Sequence, residues 1–186
     1  MAKGKHNAAV AKTNVARLLD KAGIGYELIP YEVDESNLAA DHVAEQLGED
    51  IRRVFKTLVL QGEYPGRNSA RYNAAGHFVC VIPGDAEVDL KKAAKAAGAK
   101  KADLIAMKEL LPLTGYIRGG CSPVGMKKPF PTFFHSTAMD FDSIYVSAGQ
   151  RGLQVKVAPR DLIAYVGGEV CDLVRSGAIE GEEVME

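Results

Sequence analysis

Apolar positions change their spacing several times along the chain. Val10, Val15, Leu18 and Leu19 recur at helical intervals, predicting a helix over residues 9–21 with Gly23 as its stop. Residues 25–33 alternate as a strand does, and Pro30 pushes that strand to a sheet edge. Ser36 or Asn37 can cap a helix that runs through Val43 and Leu47 and ends at Gly48. Residues 54–60 and 77–82 are two strands rich in branched and apolar side chains. The intervening residues 62–76 carry Gly62, Pro65, Gly66, Asn68 and Gly76 and read as a long hairpin connection, and Pro83-Gly84-Asp85 is a turn. Asp89 caps a helix reaching Ala97 and closed by Gly98. A short helix at 108–111 precedes strands at 114–118, 132–135, 143–147 and 153–157. Pro159 then opens a last helix to residue 165, and a short strand covers 169–172. Strands in succession with helices outside them predict an α+β fold with a mixed, barrel-like sheet. The expected organisation is an arm at 1–8, one domain over 9–176 and an acidic tail at 177–186.

Composition narrows this picture. The chain has 186 residues, 47% apolar and 25% charged, enough for a buried core. Cys80, Cys121 and Cys171 form no C-x-x-C pair, which disfavours a zinc knuckle and fits a reducing compartment. There is no leader-type apolar segment, and no apolar run approaches the roughly 18 residues of a membrane span. A soluble, cytoplasmic protein without membrane contact is expected. Charge is unevenly spread: residues 91–160 hold 12 Lys/Arg against 4 Asp/Glu, while residues 161–186 hold 1 against 7. The basic stretch suits phosphate contact; Lys91, Lys92 and Lys95 also fit the solvated face of a helix.

Standard catalytic motifs are absent: no G-x-x-x-x-G-K-[ST], G-x-G-x-x-G, H-E-x-x-H or G-x-S-x-G. His6, His42, His77 and His135 do not fall at metal-ligand spacing, so neither a metal nor a cofactor is expected. Lys56 is the anomaly. Alternation puts it on one strand face with Val54, Leu58 and Leu60. An ammonium there either binds a phosphate or developing oxyanion or reaches out to water. The second anomaly is residues 119–125, with three glycines and one proline, flanked by Arg118, Lys127 and Lys128. Such a loop is either a tight turn or a backbone cradle for an ester carbonyl or phosphate. Ser147 to Leu153, with Arg151 in a glycine turn, is a third candidate wall or a plain hairpin turn.

Four stretches carry a resemblance: Val54-Phe55-Lys56-Thr57-Leu58; Asp89 to Lys95 with Gly98 to Lys101; Thr114-Gly115-Tyr116 followed by Gly119 to Lys128; and Ile144-Tyr145-Val146-Ser147 through Arg151-Gly152-Leu153. In this order they resemble the YbaK/EbsC family, free-standing relatives of the editing domain inserted in bacterial prolyl-tRNA synthetases. The resemblance spans residues 12–176. It implies cleavage of the ester between a mischarged amino acid and the terminal ribose of tRNA, with the acceptor end as partner and prolyl-tRNA synthetase as a second candidate partner. It implies cysteine as the amino acid removed, as from Cys-tRNA(Pro), the substrate's own thiol attacking its carbonyl without a covalent nucleophile from the protein. Other branches remove alanine by hydrolysis, so alanyl or seryl esters, or binding without turnover, are the alternatives.

Carried over by position, Lys56 is the family's key lysine, holding the terminal adenosine's phosphate or the reacting ester. Tyr31 and Ser147 match pocket residues, and Gly119, Gly120, Ser122 and Pro123 match the substrate loop. Cys121 stands in that loop where an aliphatic residue is expected. Arg118, Lys127, Lys128 and Arg151 are candidate phosphate contacts. Gln154 departs from the pattern: an acidic residue is expected after Arg-Gly-Leu, and an amide neither acts as a base nor pairs with an amine as a carboxylate does.

Overall fold

The computed structural model describes residues 10–65 and 76–177. Thr13 accepts a hydrogen bond from the Ala16 N–H and opens α1 (Asn14–Lys21), four residues after the helical spacing begins. β1 (Tyr26–Pro30) follows, then α2 (Ala40–Leu47), closed by Gly48. The cap of α2 differs from expectation. Ala39 occupies the cap position without a side-chain bond, while Ser36 bonds to Asp34 and Asn37 accepts from the Ala39 N–H. These two polar residues shape the preceding turn instead.

β2 (Phe55–Glu63) and β3 (His77–Pro83) form the expected antiparallel hairpin, with Lys56 opposite Ile82. β2 extends to Glu63, so Gly62 lies in a strand, and residues 66–75 of the connection lie outside the described residues. Asp89 accepts from the Lys91 and Lys92 N–H groups and starts α3 (Leu90–Ala97). β4 (Lys101–Leu104) then pairs with the far end of β2. α4 (Met107–Thr114) runs past Pro112, so residue 114 ends a helix and residues 115–118 are loop rather than strand. β5 (Thr132–His135), β6 (Ile144–Ser147), β7 (Leu153–Val157), α5 (Pro159–Val166) and β8 (Glu169–Cys171) complete the order. The arm at 1–8 and residues 178–186 of the tail lie outside the described residues.

The fold is α+β, with a three-stranded sheet (β1-β7-β6) and a five-stranded sheet (β4-β2-β3-β5-β8). Pro30 does sit on an edge strand, because among the described residues β1 pairs only with β7. The larger sheet is mixed: β3 with β5 and β5 with β8 are parallel, the remaining pairs antiparallel. Phe55, Val59, Val79 and Val81 of the large sheet pack against Val146, Val155 and Val157 of the small one in the main core. The opposite face carries Leu60, Phe78, Cys80 and Ile82 against Ala93, Ala94 and Ala97 of α3.

No closed barrel forms among the described residues. β6 reaches β2 only through the parallel bridge Val54↔Tyr145, and β4 pairs with β2 only from Leu60 to Glu63. Residues 56–58 therefore have no strand neighbour on that side among the described residues. The Val59 carbonyl accepts from the Ile105 N–H on this outer edge at 3.2 Å. Strand alternation turns the Thr57 main-chain N–H and C=O to the same edge.

Candidate functional site

A cleft of about 650 Å³ opens along this interrupted edge. Val54 and residues 55–59 of β2 form part of its wall. Tyr31, Ser147 and Gln154 come from the small-sheet side, and Arg118, Gly119 and Cys121 from the glycine loop. Leu104, Met107, Val88 and Leu90 come from the ends of β4, α4 and α3. Tyr31, Arg118, Gly119, Cys121, Ser147 and Gln154 thus share one cleft with Lys56.

Lys56 is half-buried, and its Nζ donates to the Gly84 carbonyl at 3.1 Å. Burial lowers its pKa below the ordinary lysine value, and the nearby Asp85 and Glu87 carboxylates oppose that shift. Gly84 reaches this position because nothing larger fits. A Cβ there would stand 2.4 Å from the Ala40 Cβ and 3.0 Å from the Val54 carbonyl oxygen. Its N–H donates to that same Val54 oxygen at 2.7 Å, so the turn after β3 is pinned beneath α2 with its own carbonyl aimed at the ammonium.

The glycine loop is fixed by the turn between β6 and β7. Arg151 Nε donates to the Arg118 carbonyl at 2.9 Å. Gly120 lies so close to that turn that a Cβ would meet Gln150 backbone at 3.1 Å. At the far end the Tyr116 hydroxyl donates to the Val124 carbonyl at 2.5 Å. The loop therefore presents Gly119 and Cys121 to the cleft. Ser122 and Pro123 are buried beneath it, outside the cleft wall, and Ser122 Oγ accepts from the Val124 N–H at 3.2 Å. Gly120 also lies behind the wall, and Lys127 and Lys128 are exposed away from it. Of the basic candidates Arg118 lines the cleft, while Arg151 braces the loop.

Burial pushes the Cys121 thiol up to about 12, so it stays protonated at neutral pH and is a weak nucleophile. Ser147 Oγ accepts from the Gly149 N–H at 3.2 Å. Gln154 faces Ser147 across the β6–β7 ladder. It is 5% exposed, and its Oε1 has no hydrogen-bond partner. Thr57 Oγ1, in the same wall, is likewise buried without a partner. Buried polar atoms are normally paired, so two orphans in one cleft mark it as shaped for a polar ligand. Sequence reasoning missed Thr57 as a site residue and missed the Gly84 carbonyl. Thr57 directly follows Lys56 and could have been found there; the Gly84 contact is set by tertiary packing and leaves no local signal. Among the described residues, no three His, Cys, Asp or Glu side chains gather as metal ligands would.

A model of the aminoacyl-tRNA editing domain matches residues 35–165. The chain is 43% identical over 162 residues to EbsC of Enterococcus faecalis, a protein whose name gives it provisionally as a Cys-tRNA(Pro)/Cys-tRNA(Cys) deacylase. That match covers 87% of this chain and 93% of EbsC. It is 25% identical over 131 residues to YwhH of Bacillus subtilis, an uncharacterised protein, covering 70% and 76% of the two chains. A solved structure described provisionally as a trans-editing enzyme for prolyl-tRNA synthetase superposes with a TM-score of 0.72 at 23% identity, covering 89% of this chain and all of that one. That likeness speaks for the fold.

Proposed function

The chain belongs to the aminoacyl-tRNA editing domain family, of the YbaK/EbsC kind, and from that premise we propose that it strips cysteine from mischarged Cys-tRNA(Pro), with Lys56 at the centre of the reaction. One observation carries the reading: a half-buried ammonium faces a cleft that holds unpaired polar atoms and a Cys121 thiol that burial keeps protonated. The substrate's thiol sulfur attacks its own ester carbonyl. A C–S bond forms, the ester C–O bond breaks, and the thiol proton ends on the ribose oxygen. A cyclic thioester and free tRNA leave. Lys56 stabilises the negative charge that develops on the ester oxygens. Gly119 and Cys121 confine the aminoacyl group, with Gly120, Ser122 and Pro123 as the framework behind them. Tyr31 and Ser147 line its seat, and the Gln154 carbonyl accepts from the substrate's ammonium. Arg118 meets a phosphate of the acceptor end, and Lys127, Lys128 and Arg151 add diffuse attraction. The aminoacyl ester is already activated, and orientation alone supplies up to roughly 7–11 kcal/mol in ideal cases.

The neutral amide at Gln154 favours a second reading, hydrolysis of alanyl or seryl esters by water. Labelled Cys-tRNA(Pro), Ala-tRNA(Pro) and Ser-tRNA decide between them. Cysteine release fastest of the three is expected. Loss of label from none of them above the buffer rate removes deacylation altogether. Lys56→Ala is expected to lower kcat by about 100-fold or more with little change in the unfolding midpoint. Full activity in that variant removes Lys56 from the mechanism.

A further inference from the structure

We propose that Arg53 is a positioning residue of the cleft: its guanidinium locks the point where β2 and β6 part, and so sets the separation of Lys56 from Ser147. This rests on the deacylase reading and deepens it, because it assigns control of that spacing to a side chain outside the cleft wall.

The two strands meet at one place. Val54 bridges Tyr145 in parallel, and both residues are 2% exposed. Paired residues of a sheet share a face, and so do residues two apart on one strand. Lys56 and Ser147 each lie two residues beyond the bridge, so both stand on the face of Val54 and Tyr145. Beyond the bridge no pairing joins β2 to β6 among the described residues, and the cleft opens there. The bridge is thus the apex of a wedge, with Lys56 on one limb and Ser147 on the other. A small rotation at the apex is carried to both groups.

Arg53 stands one residue before the bridge, at the end of the short helical turn Ile51–Arg53. Its Nε and Nη2 donate to the Ser143 carbonyl at 3.2 and 3.1 Å, and Nη2 also donates to Ser143 Oγ at 2.6 Å. Nη1 donates to Glu49 Oε2 at 3.1 Å, and Glu49 Oε1 accepts from the Tyr145 hydroxyl at 2.5 Å. The guanidinium carbon lies 5.6 Å from the Tyr145 ring centroid and 6.0 Å from that of Phe141. One side chain at the foot of β2 thereby grips Phe141, Ser143 and Tyr145, the residues that lead into β6. A planar fork fixes several directions at once, which a lysine ammonium does not. Apolar packing of Val43, Ala44 and Val54 with Tyr145 already closes the apex, so what the fork adds is direction.

Arg53→Lys keeps the charge beside Glu49 and removes the fork. In the full chain it is expected to lower kcat for Cys-tRNA(Pro) about 10- to 100-fold, the cost of a small misplacement of reacting groups. KM should change by less than about twofold. Ser143→Ala removes only the hydroxyl acceptor and should lower kcat about fivefold, with no further loss when added to Arg53→Lys. The second readout is at Lys56 itself. Burial holds its pKa below the ordinary lysine value, and a wider wedge admits water. The pH dependence of Lys56 acetylation by acetic anhydride, followed by peptide mass spectrometry, is expected to show that pKa rising toward the ordinary value in Arg53→Lys. A general loss of stability moves neither the split between kcat and KM nor the Lys56 titration of the folded protein. Wild-type kcat or an unmoved Lys56 titration in folded Arg53→Lys protein overturns the assignment. Should that variant not fold, Ser143→Ala carries both readouts in the same direction. If the wild-type protein releases no amino acid from any of the three aminoacyl-tRNAs, the deacylase reading fails, and the Lys56 titration alone decides whether Arg53 sets the wedge.

Discussion

Gln154 keeps a carbonyl oxygen in the cleft wall with nothing to accept from. Such an atom costs roughly 1–3 kcal/mol of stability. A substrate ammonium would supply its missing donor. Gln154→Leu keeps most of the volume and removes the orphan. It is expected to raise the unfolding free energy by about 1 kcal/mol and to raise KM about tenfold, measured by denaturant melts and steady-state deacylation. A variant that is both less stable and fully active would remove the residue from substrate binding. At this scale much was legible in the sequence. Lys56 was visible because a charge interrupts an apolar strand, and Gln154 because the family resemblance expects an acid there. The orientation of the glycine loop was not legible. Gly119 and Ser122 stand three residues apart in one motif, yet one faces the cleft and the other is buried, because packing against the β6–β7 turn decides which way the backbone rolls.

The turn after β3 matters more than its length suggests, because it delivers the carbonyl that orients Lys56. Gly84→Ala places a methyl group against Ala40 and the Val54 carbonyl. Overpacking of this kind costs about 1–3 kcal/mol. The turn must lift, so a loss of stability and a fall in kcat are expected together, read from thermal melts and turnover of the same preparation. Wild-type turnover in a destabilised Gly84→Ala protein would separate the carbonyl from catalysis. Elements with strong local signals were legible: the β2–β3 hairpin, and α3 with Asp89 and Gly98 at its ends. β4 was not. Lys101 and Asp103 are exposed and only Ala102 is buried, so its pattern is too short and polar to read as a strand. α4 runs beyond the expected 108–111, although Pro112 lacks a helical N–H donor. The helix tolerates it two residues before its end, where Gly115 N–H still reaches the Leu111 carbonyl.

Over the whole molecule, the C-terminal segment is tied to the sheet through a neutral histidine. His135 Nδ1 accepts from the Leu173 N–H at 3.1 Å. Burial lowers the His135 pKa below the ordinary 6.5, and Asp172 opposes the shift. His77 is lowered in the same sense, again first by burial. In both cases the unfolded chain binds more protons at mildly acid pH. Their stabilising contribution is complete above 6.5 and is lost as pH falls through the folded-state values. Unfolding midpoints are therefore expected to hold between about pH 7 and 8 and to decline below about pH 6. His135→Gln should flatten that decline, and an unaltered slope would assign it elsewhere. The fold class was legible as α+β with a mixed sheet, but closure of the barrel was not. It depends on how far the β2 segment pairs with β6 and β4, which is a matter of pairing length rather than of composition.

The point where β4 stops also bears on how the protein avoids its own copies. Bare strand edges recruit other strands, and sheet proteins shorten or charge them to prevent it. Here the uncovered run holds a lysine and ends where β4 takes over at Leu60. It is too brief to anchor a foreign strand. Shortening β4 would widen the entrance for bulkier cargo and, in the same step, lengthen an adhesive edge. The extent of β4 thus bears on both the open edge of β2 and the cleft mouth beside it.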